Sequence, residues 1–176
     1  MSIVYCFNYD KVLFDDVHRN DLFPDVKNII KKEFERGSMM CVVSSRQDDT
    51  VMSEAVIETL KKSNLYYFLD VVAIGAGPRG EMMTKIIDWY KDELKIKVSK
   101  LHLFDFKDRG KLPGSVELHI LDEHLSEYDI YEARGDILVK AGALKNIRGH
   151  QTKTEEVEMD DQNHNETCLP QKTANQ

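Results

Sequence analysis

Residues 3–14, IVYCFNYDKVLF, carry the clearest indication of the fold. Residues 3–7 form a short apolar run, and the polar residues Asn8 and Asp10 follow it closely. A strand buried inside a parallel sheet has this pattern, because both of its faces are covered by other elements. The stretch therefore predicts a first β-strand whose carboxyl end delivers polar side chains to a site.

Working outward from this strand, apolar runs and helical periodicity alternate along the chain. Further strands are predicted at 39–43, 68–75, 101–105 and 115–120, and helices at 24–36, 50–62 and 80–94. Such alternation indicates parallel strands joined by right-handed crossovers, which is a doubly wound α/β sheet. Residues 121–148 contain helix-compatible segments that we expect to pack at the edge of this sheet.

Length and composition predict one folded domain and a polar tail. The chain has 176 residues and is 41% hydrophobic, enough for one core, which we assign to residues 1–148. Residues 149–176 lack aromatic side chains and carry six acidic and two basic residues, a net charge of −4. A segment of this composition buries too little apolar surface to fold, so we expect a disordered acidic tail.

Charge and cysteine usage predict an intracellular protein, either cytoplasmic or nuclear. Cys6, Cys41 and Cys168 form no close pair, which favours a reducing compartment, and we interpret Cys6 and Cys41 as buried packing residues. No apolar stretch reaches the roughly 18 residues of a membrane span, and the chain starts without a basic leader. The net charge of −7 does not support general nucleic-acid binding, which depends on basic residues.

Polar residues after the predicted strands form one candidate site. Ligands of open parallel sheets bind outside the carboxyl ends of the strands, so these residues are expected to converge. They are Asn8 and Asp10 after the first strand, Ser44, Ser45 and Arg46 after the second, and Asp105, Asp108 and Arg109 after the fourth. Lys85 lies in the helix that follows the third strand.

These residues carry a resemblance to the haloacid dehalogenase (HAD) superfamily. FNYDKVLFD resembles the first motif of that superfamily, DxDx(T/V)LF(D), with Asn8 at the first Asp; CVVSSR resembles the second, Lys85 is placed as in the third, and LFDFKDR resembles the acidic fourth. DKVLF, the later Asn20, and SNLYYFLD at 63–70 are similar to the HAD-type domain of the Swiss Army Knife RNA repair proteins. The likeness covers about residues 1–120 and implies a three-layer, Rossmannoid fold without a cap domain.

The resemblance also implies a role for each motif residue. Position 8 would attack phosphorus, Asp10 would act as general acid and base, and Ser44 and Lys85 would hold the phosphoryl oxygens, with Ser45 and Arg46 contacting the ligand. A Mg²⁺ ion would be bound through positions 8 and 10 together with Asp105 or Asp108. These assignments belong to the family and are expectations for this chain.

The departure at Asn8 determines the functional expectation. A carboxamide is not a carboxylate nucleophile, and losing such a group costs a factor of order 10⁴ or more in rate. It also removes one charge from the metal site, so we expect magnesium binding to be weakened or lost. The sequence predicts a catalytically impaired phosphatase homologue that binds a phosphorylated ligand or protein partner. Two alternatives stay open: an active Mg²⁺-dependent phosphohydrolase, for example on nucleic-acid ends, and a structural interaction protein.

Each signal also has a purely structural interpretation. Asn8-Tyr9-Asp10 fits an Asx turn, Ser44 a helix N-terminus, and Lys85 an exposed helix position. GAGPRG at 75–80 lacks the spacing of a phosphate-binding loop and is interpreted as a turn. The histidines show no spacing typical of zinc, and we interpret the two in predicted strands, His102 and His119, as packing residues.

Overall fold

A computed structural model describes residues 2–15, 21–45 and 50–135. Its five strands all run parallel, in the order β3-β2-β1-β4-β5. They are β1 (Ile3–Asn8), β2 (Met39–Ser44), β3 (Val71–Ile74), β4 (Lys100–Asp105) and β5 (Val116–Ile120). The predicted α/β class and the five-stranded parallel sheet are thereby confirmed.

Four α-helices accompany the sheet. They are α1 (Val26–Glu35), α2 (Thr50–Lys62), α3 (Arg79–Leu94) and α4 (Glu127–Arg134). Within the described ranges, no helix is long and apolar enough to cross a membrane. The predicted acidic tail and the end of the 121–148 segment lie outside the described residues.

The boundaries depart from prediction mainly before β3. The predicted third strand, 68–75, starts only at Val71, because Tyr66–Phe68 form one turn of 3₁₀-helix. The apolar run is continuous through both, so periodicity alone does not separate them. The fourth helix begins after Ser126, whose side chain and backbone exchange hydrogen bonds with Asp129 in a capping box.

Buried side chains cover both faces of the sheet. One face packs Phe7 and Val42 against residues of α1, α2 and α4, including Ile30, Leu60 and Ile130. The other face packs its small side chains against α3; the buried residues there include Cys6, Cys41, Met83, Ile86 and Tyr90. Helices therefore cover the sheet from both sides, and the interpretation of the two cysteines as buried packing residues is confirmed.

The turn after β1 is held by its own core. Tyr9 and Phe14 are fully buried with their rings 4.5 Å apart, and the Lys11 amide donates to the Phe14 carbonyl at 2.8 Å. Lys11 itself has a left-handed backbone, with φ of 69°. This packing fixes the backbone that follows Asn8 at the carboxyl end of the sheet.

The start of α3 is fixed by a close backbone approach. A Cβ placed on Gly80 would lie 2.5 Å from the carbonyl oxygen of Lys111, well inside van der Waals contact. Only glycine fits here without a shift of the backbone. This approach holds the first turn of α3, and with it Arg79, against the segment that links β4 to β5.

Candidate functional site

The candidate site is a buried polar network at the carboxyl end of the sheet. Asn8 and Asp105 are the last residues of β1 and β4, which are neighbours in the sheet with Phe7 opposite Phe104. Arg79, the first residue of α3, reaches the same point. Asn8, Asp105 and Arg79 are 1%, 0% and 3% exposed, so the network is closed off from bulk water.

A single nitrogen of Arg79 links the two strand ends. Its Nη1 donates to Asn8 Oδ1 at 3.0 Å and to Asp105 Oδ2 at 2.9 Å. Burial and then the neighbouring charge of Arg109 lower the Arg79 pKa, and Asp105 opposes this. A guanidinium remains protonated at neutral pH even so. Arg79 therefore places a fixed positive charge between the two side chains.

Arg109 holds Asp105 from the other side. Its Nε donates to Asp105 Oδ2 at 3.0 Å and its Nη2 donates to Oδ1 at 3.2 Å, which is the forked geometry of an arginine–carboxylate pair. The backbone amide of Phe106 also donates to Oδ1, at 2.7 Å. With Arg79, four hydrogen bonds converge on this one buried carboxylate.

The amide of Asn8 is also engaged at both ends. Its Nδ2 donates to the backbone carbonyl of Asp10 at 2.7 Å, while its Oδ1 accepts from Arg79. Asn8 Oδ1 and Asp105 Oδ2 therefore converge on Arg79 Nη1, while the Asp10 carbonyl oxygen lies at the other end of the Asn8 amide. Each of these oxygens already accepts a hydrogen bond from a protein nitrogen.

The other predicted site residues differ in how close they come to this network. Ser44 is buried at the end of β2, and the exposed Ser45 lies 3.5 Å from Arg109 Nη1. Asp10 is partly buried, and its charge raises the Arg79 pKa. Arg46 lies outside the described residues.

Two predicted residues lie apart from the network. The exposed Asp108 accepts a bond from the Gly110 amide, so Asp105 is the acidic residue that the structure places beside Asn8. Lys85 is exposed on α3 and lines a separate hollow of about 330 Å³ with Pro78 and Trp89. Lys85 lies more than one helical turn beyond Arg79 on the same helix.

Arg79 is the residue that sequence reasoning missed. It belongs to GAGPRG, which the sequence analysis interpreted as a turn. The turn is present, and it leads into α3, whose first residue is the basic Arg79. A cation at the start of the helix that follows a buried strand was the available signal.

A cationic surface lies beside the network. Lys11, Lys107 and Arg109 surround the ring of Phe106, with their charged groups 5.6, 5.6 and 5.2 Å from its centroid. Lys11 and Lys107 are exposed, and Phe106 follows Asp105 directly. Three cations therefore gather around one aromatic ring at this end of the sheet, while Asp15, Asp122 and Glu123 line the same hollow as Lys11 and Phe106.

A second polar cluster occupies the edge of the sheet. His102 on β4 and His119 on β5 lie with Nδ1 and Nε2 2.9 Å apart, and Glu117 lies 3.8 and 3.9 Å from these two atoms. Burial, followed by the neighbouring His119, lowers the His102 pKa to about 4, and burial also lowers the His119 pKa. Burial therefore favours the neutral form of both imidazoles, and no sequence pattern indicated that they meet.

The chain matches no protein-family model and no curated protein sequence. Its function is therefore inferred from its own residues and their geometry.

Proposed function

We propose that this chain is a catalytically impaired HAD-like phosphatase homologue that binds a phosphorylated ligand or protein partner at the carboxyl end of its sheet. The observation that carries the proposal is the pair of hydrogen bonds from Arg79 to Asn8 and Asp105. A protein cation thereby occupies the position that the motif resemblance would give to Mg²⁺.

The hydrogen bonding at this position opposes metal-dependent phosphoryl transfer. Mg²⁺ requires free oxygens in octahedral geometry, whereas the oxygens of Asn8, Asp105 and the Asp10 carbonyl already accept bonds from protein donors. The guanidinium also repels a second cation. Because Asn8 additionally lacks a carboxylate, both the nucleophile and the metal would have to be restored before turnover returns.

Unused donors and nearby cations support the binding of an anion. Arg79 Nη2 is buried and has no hydrogen-bond partner in the part of the chain that the structure describes. Arg109, which shares the Asp105 carboxylate with Arg79, surrounds the Phe106 ring together with the exposed Lys11 and Lys107. Arginine binds phosphate oxygens with a planar fork of donors, so a phosphoryl group is the ligand that suits these residues.

The connections around the site favour a large phosphorylated ligand. Only residues 75–78 separate β3 from α3, and residues 9–25 separate β1 from α1, which leaves no room for a cap domain at either point. The buried network itself is closed, so a phosphorylated protein or small molecule would meet Arg109 and the exposed Lys11 and Lys107 at its rim. Nucleic acid is a poorer candidate, since the net charge of −7 opposes a polyanion.

Phosphatase turnover with Mg²⁺ tests the catalytic half of the proposal. The substrates are a chromogenic phosphate and 5′- and 3′-phosphorylated RNA, and the proteins are the native chain, Asn8→Asp, Arg79→Ala and the double variant. We expect turnover only in the double variant, because Asn8→Asp alone gives Arg79 a second carboxylate to pair with. Turnover by the native chain that Asp10→Ala abolishes would instead establish the active phosphohydrolase.

Binding of inorganic phosphate tests the other half. Calorimetry should show that Arg109→Gln weakens phosphate binding by roughly tenfold, the effect of one charge-assisted bond. Lys97→Gln is the matched control, because exposed Lys97 precedes β4 and so lies at the opposite end of the sheet. Equal binding by the two variants, or none by the native chain, contradicts the proposal and favours a structural interaction protein.

A further inference from the structure

The His102–Glu117–His119 cluster brings three metal-binding side chains from two strands together. His102 lies opposite Glu117 in the β4–β5 register, and Glu117 and His119 share a face of β5 because they are two residues apart. Their ligand atoms all lie within 4.8 Å of one another. We propose that His102, Glu117 and His119 form a binding site for Zn²⁺ or a similar first-row dication, separate from the Asn8–Arg79–Asp105 network.

The distances between the ligand atoms suit such an ion. Two nitrogens at 2.0–2.1 Å from a tetrahedral zinc lie about 3.3 Å apart. The observed separations are 2.9 Å between the imidazole nitrogens and 3.8 and 3.9 Å from these to the carboxylate oxygens of Glu117. Small rotations of His119 and of the half-exposed Glu117 bring all three atoms to the required distance.

The protein already orients the two imidazoles. The His102 ring stacks on Tyr5 with centroids 5.5 Å apart, and the His119 ring stacks on Phe104 at 4.9 Å. The two nitrogens that would bind the ion now share one hydrogen bond, so one of them carries the proton. When the ion binds, that proton moves to the other nitrogen of the same ring, so the ring stays neutral and releases no proton.

Solvent and further acidic groups reach the cluster from one side. His102 is buried, while Glu117 and His119 line a hollow of about 800 Å³ between β5 and α4 that also contains Asp129 and Glu132. Three protein ligands leave a fourth position, which opens to this hollow and would hold water. Imidazole nitrogens favour zinc, copper or nickel over magnesium, so the choice of ligands also predicts the class of metal.

One cation opposes the ion. Lys100 Nζ lies 3.1 Å from Glu117 Oε1, and both side chains are about half exposed. An exposed pair of this kind is weak, and its lysine can move into solvent. Lys100 therefore lowers the affinity for the metal without blocking its site.

Binding of Zn²⁺ to the full chain, freed of metal by a chelator, tests the site. Calorimetry should show one saturable site, and Co²⁺ should give the visible absorption of a low-symmetry site. His119→Gln and Glu117→Gln should each weaken binding by more than the roughly 10- to 100-fold that loss of an outer-shell partner costs, because each removes a direct ligand. His124→Gln is the matched control, since His124 lines the same hollow but stacks on Phe23 outside the cluster.

A second control separates this site from metal binding by the acidic tail, whose His150, His164 and Cys168 are also ligands by chemistry. The variant with all three replaced by Gln, Gln and Ser should bind the first Zn²⁺ as tightly as the native chain. The proposal is overturned if that variant loses the site, if His119→Gln binds as tightly as His124→Gln, or if Mg²⁺ competes equally with Zn²⁺. Circular dichroism establishes that each variant is folded.

Discussion

The two polar clusters of this sheet share strand β4 but differ in how their charges are balanced. The first lies where β1 and β4 end, and the second lies between β4 and the edge strand β5. In the network around Asp105, two guanidinium groups and one backbone amide donate four hydrogen bonds to one carboxylate. In the cluster around His119, two neutral imidazoles face one carboxylate that has only an exposed lysine beside it. The first cluster supplies its own cation, whereas the second has ligand atoms but no buried cation.

This difference indicates which of the two clusters is the better candidate for binding a metal ion. The motif resemblance points to the strand ends at Asn8 and Asp105, where the Arg79 guanidinium donates a hydrogen bond to each side chain. The cluster that lies outside every motif retains the lone pairs that a dication needs.

The largest expected effect is the loss of the Asp105 carboxylate. Asp105→Asn removes the carboxylate that Arg79 and Arg109 share. The side chains of these arginines are only 2% and 13% exposed. Breaking a buried ion pair in this way destabilises a protein by about 3–5 kcal/mol, which urea unfolding measures directly. Asp108→Asn, the same change in the same loop at an exposed residue, should cost less than about 1 kcal/mol. Similar losses for both variants would mean that the network does not hold the strand ends.

The next effect is stabilisation of the sheet edge by metal. Zn²⁺ bound to His102, Glu117 and His119 would join edge strand β5 to β4, which is a native-state contact that unfolding destroys. At a free concentration 100 times Kd it should stabilise the fold by about 2.7 kcal/mol. Thermal unfolding should then shift upward by roughly 5–10 °C in the native chain. Equal shifts in His119→Gln would show that Zn²⁺ acts elsewhere.

A smaller effect is expected where α3 approaches the β4–β5 segment. Gly80→Ala forces a Cβ against the Lys111 carbonyl oxygen, and such overpacking costs about 1–3 kcal/mol. Gly77→Ala is the matched control, because a Cβ there meets nothing within 4 Å. If denaturant midpoints of the two variants coincide, the close approach does not fix the position of Arg79.

The smallest effect concerns Lys100. Lys100→Gln removes the cation that competes for Glu117, and exposed pairs of this kind contribute about 0.2–1 kcal/mol. Zn²⁺ affinity should therefore rise by a few-fold in calorimetry, whereas Lys97→Gln, three residues earlier and also exposed, should leave it unchanged. A decrease in Lys100→Gln would mean that the lysine positions Glu117 rather than opposing the metal.

The sequence predicted the sheet well because strand and helix periodicities are local properties. Helix 50–62 and the start of β1 at Ile3 were placed to the residue, and Asn8 and Asp105 were found because both directly end apolar strands. Arg79 was missed because its role depends on where the turn after β3 aims one side chain. The meeting of His102 and His119 depends on strand register, which no spacing between residues 17 apart reveals.

Binding of Mn²⁺, a substitute for Mg²⁺ at oxygen ligands, tests the central claim most directly. Electron paramagnetic resonance would count bound Mn²⁺ in His119→Gln, which removes the edge cluster, and in the same protein carrying Asn8→Asp and Arg79→Ala. If Arg79 occupies the cation position, the first protein binds no Mn²⁺ at millimolar concentration and the second binds one ion that Asp105→Asn abolishes. Tight binding of one ion by the first protein, lost in Asp105→Asn, would contradict the account, because the strand ends would then accept a metal with Arg79 in place.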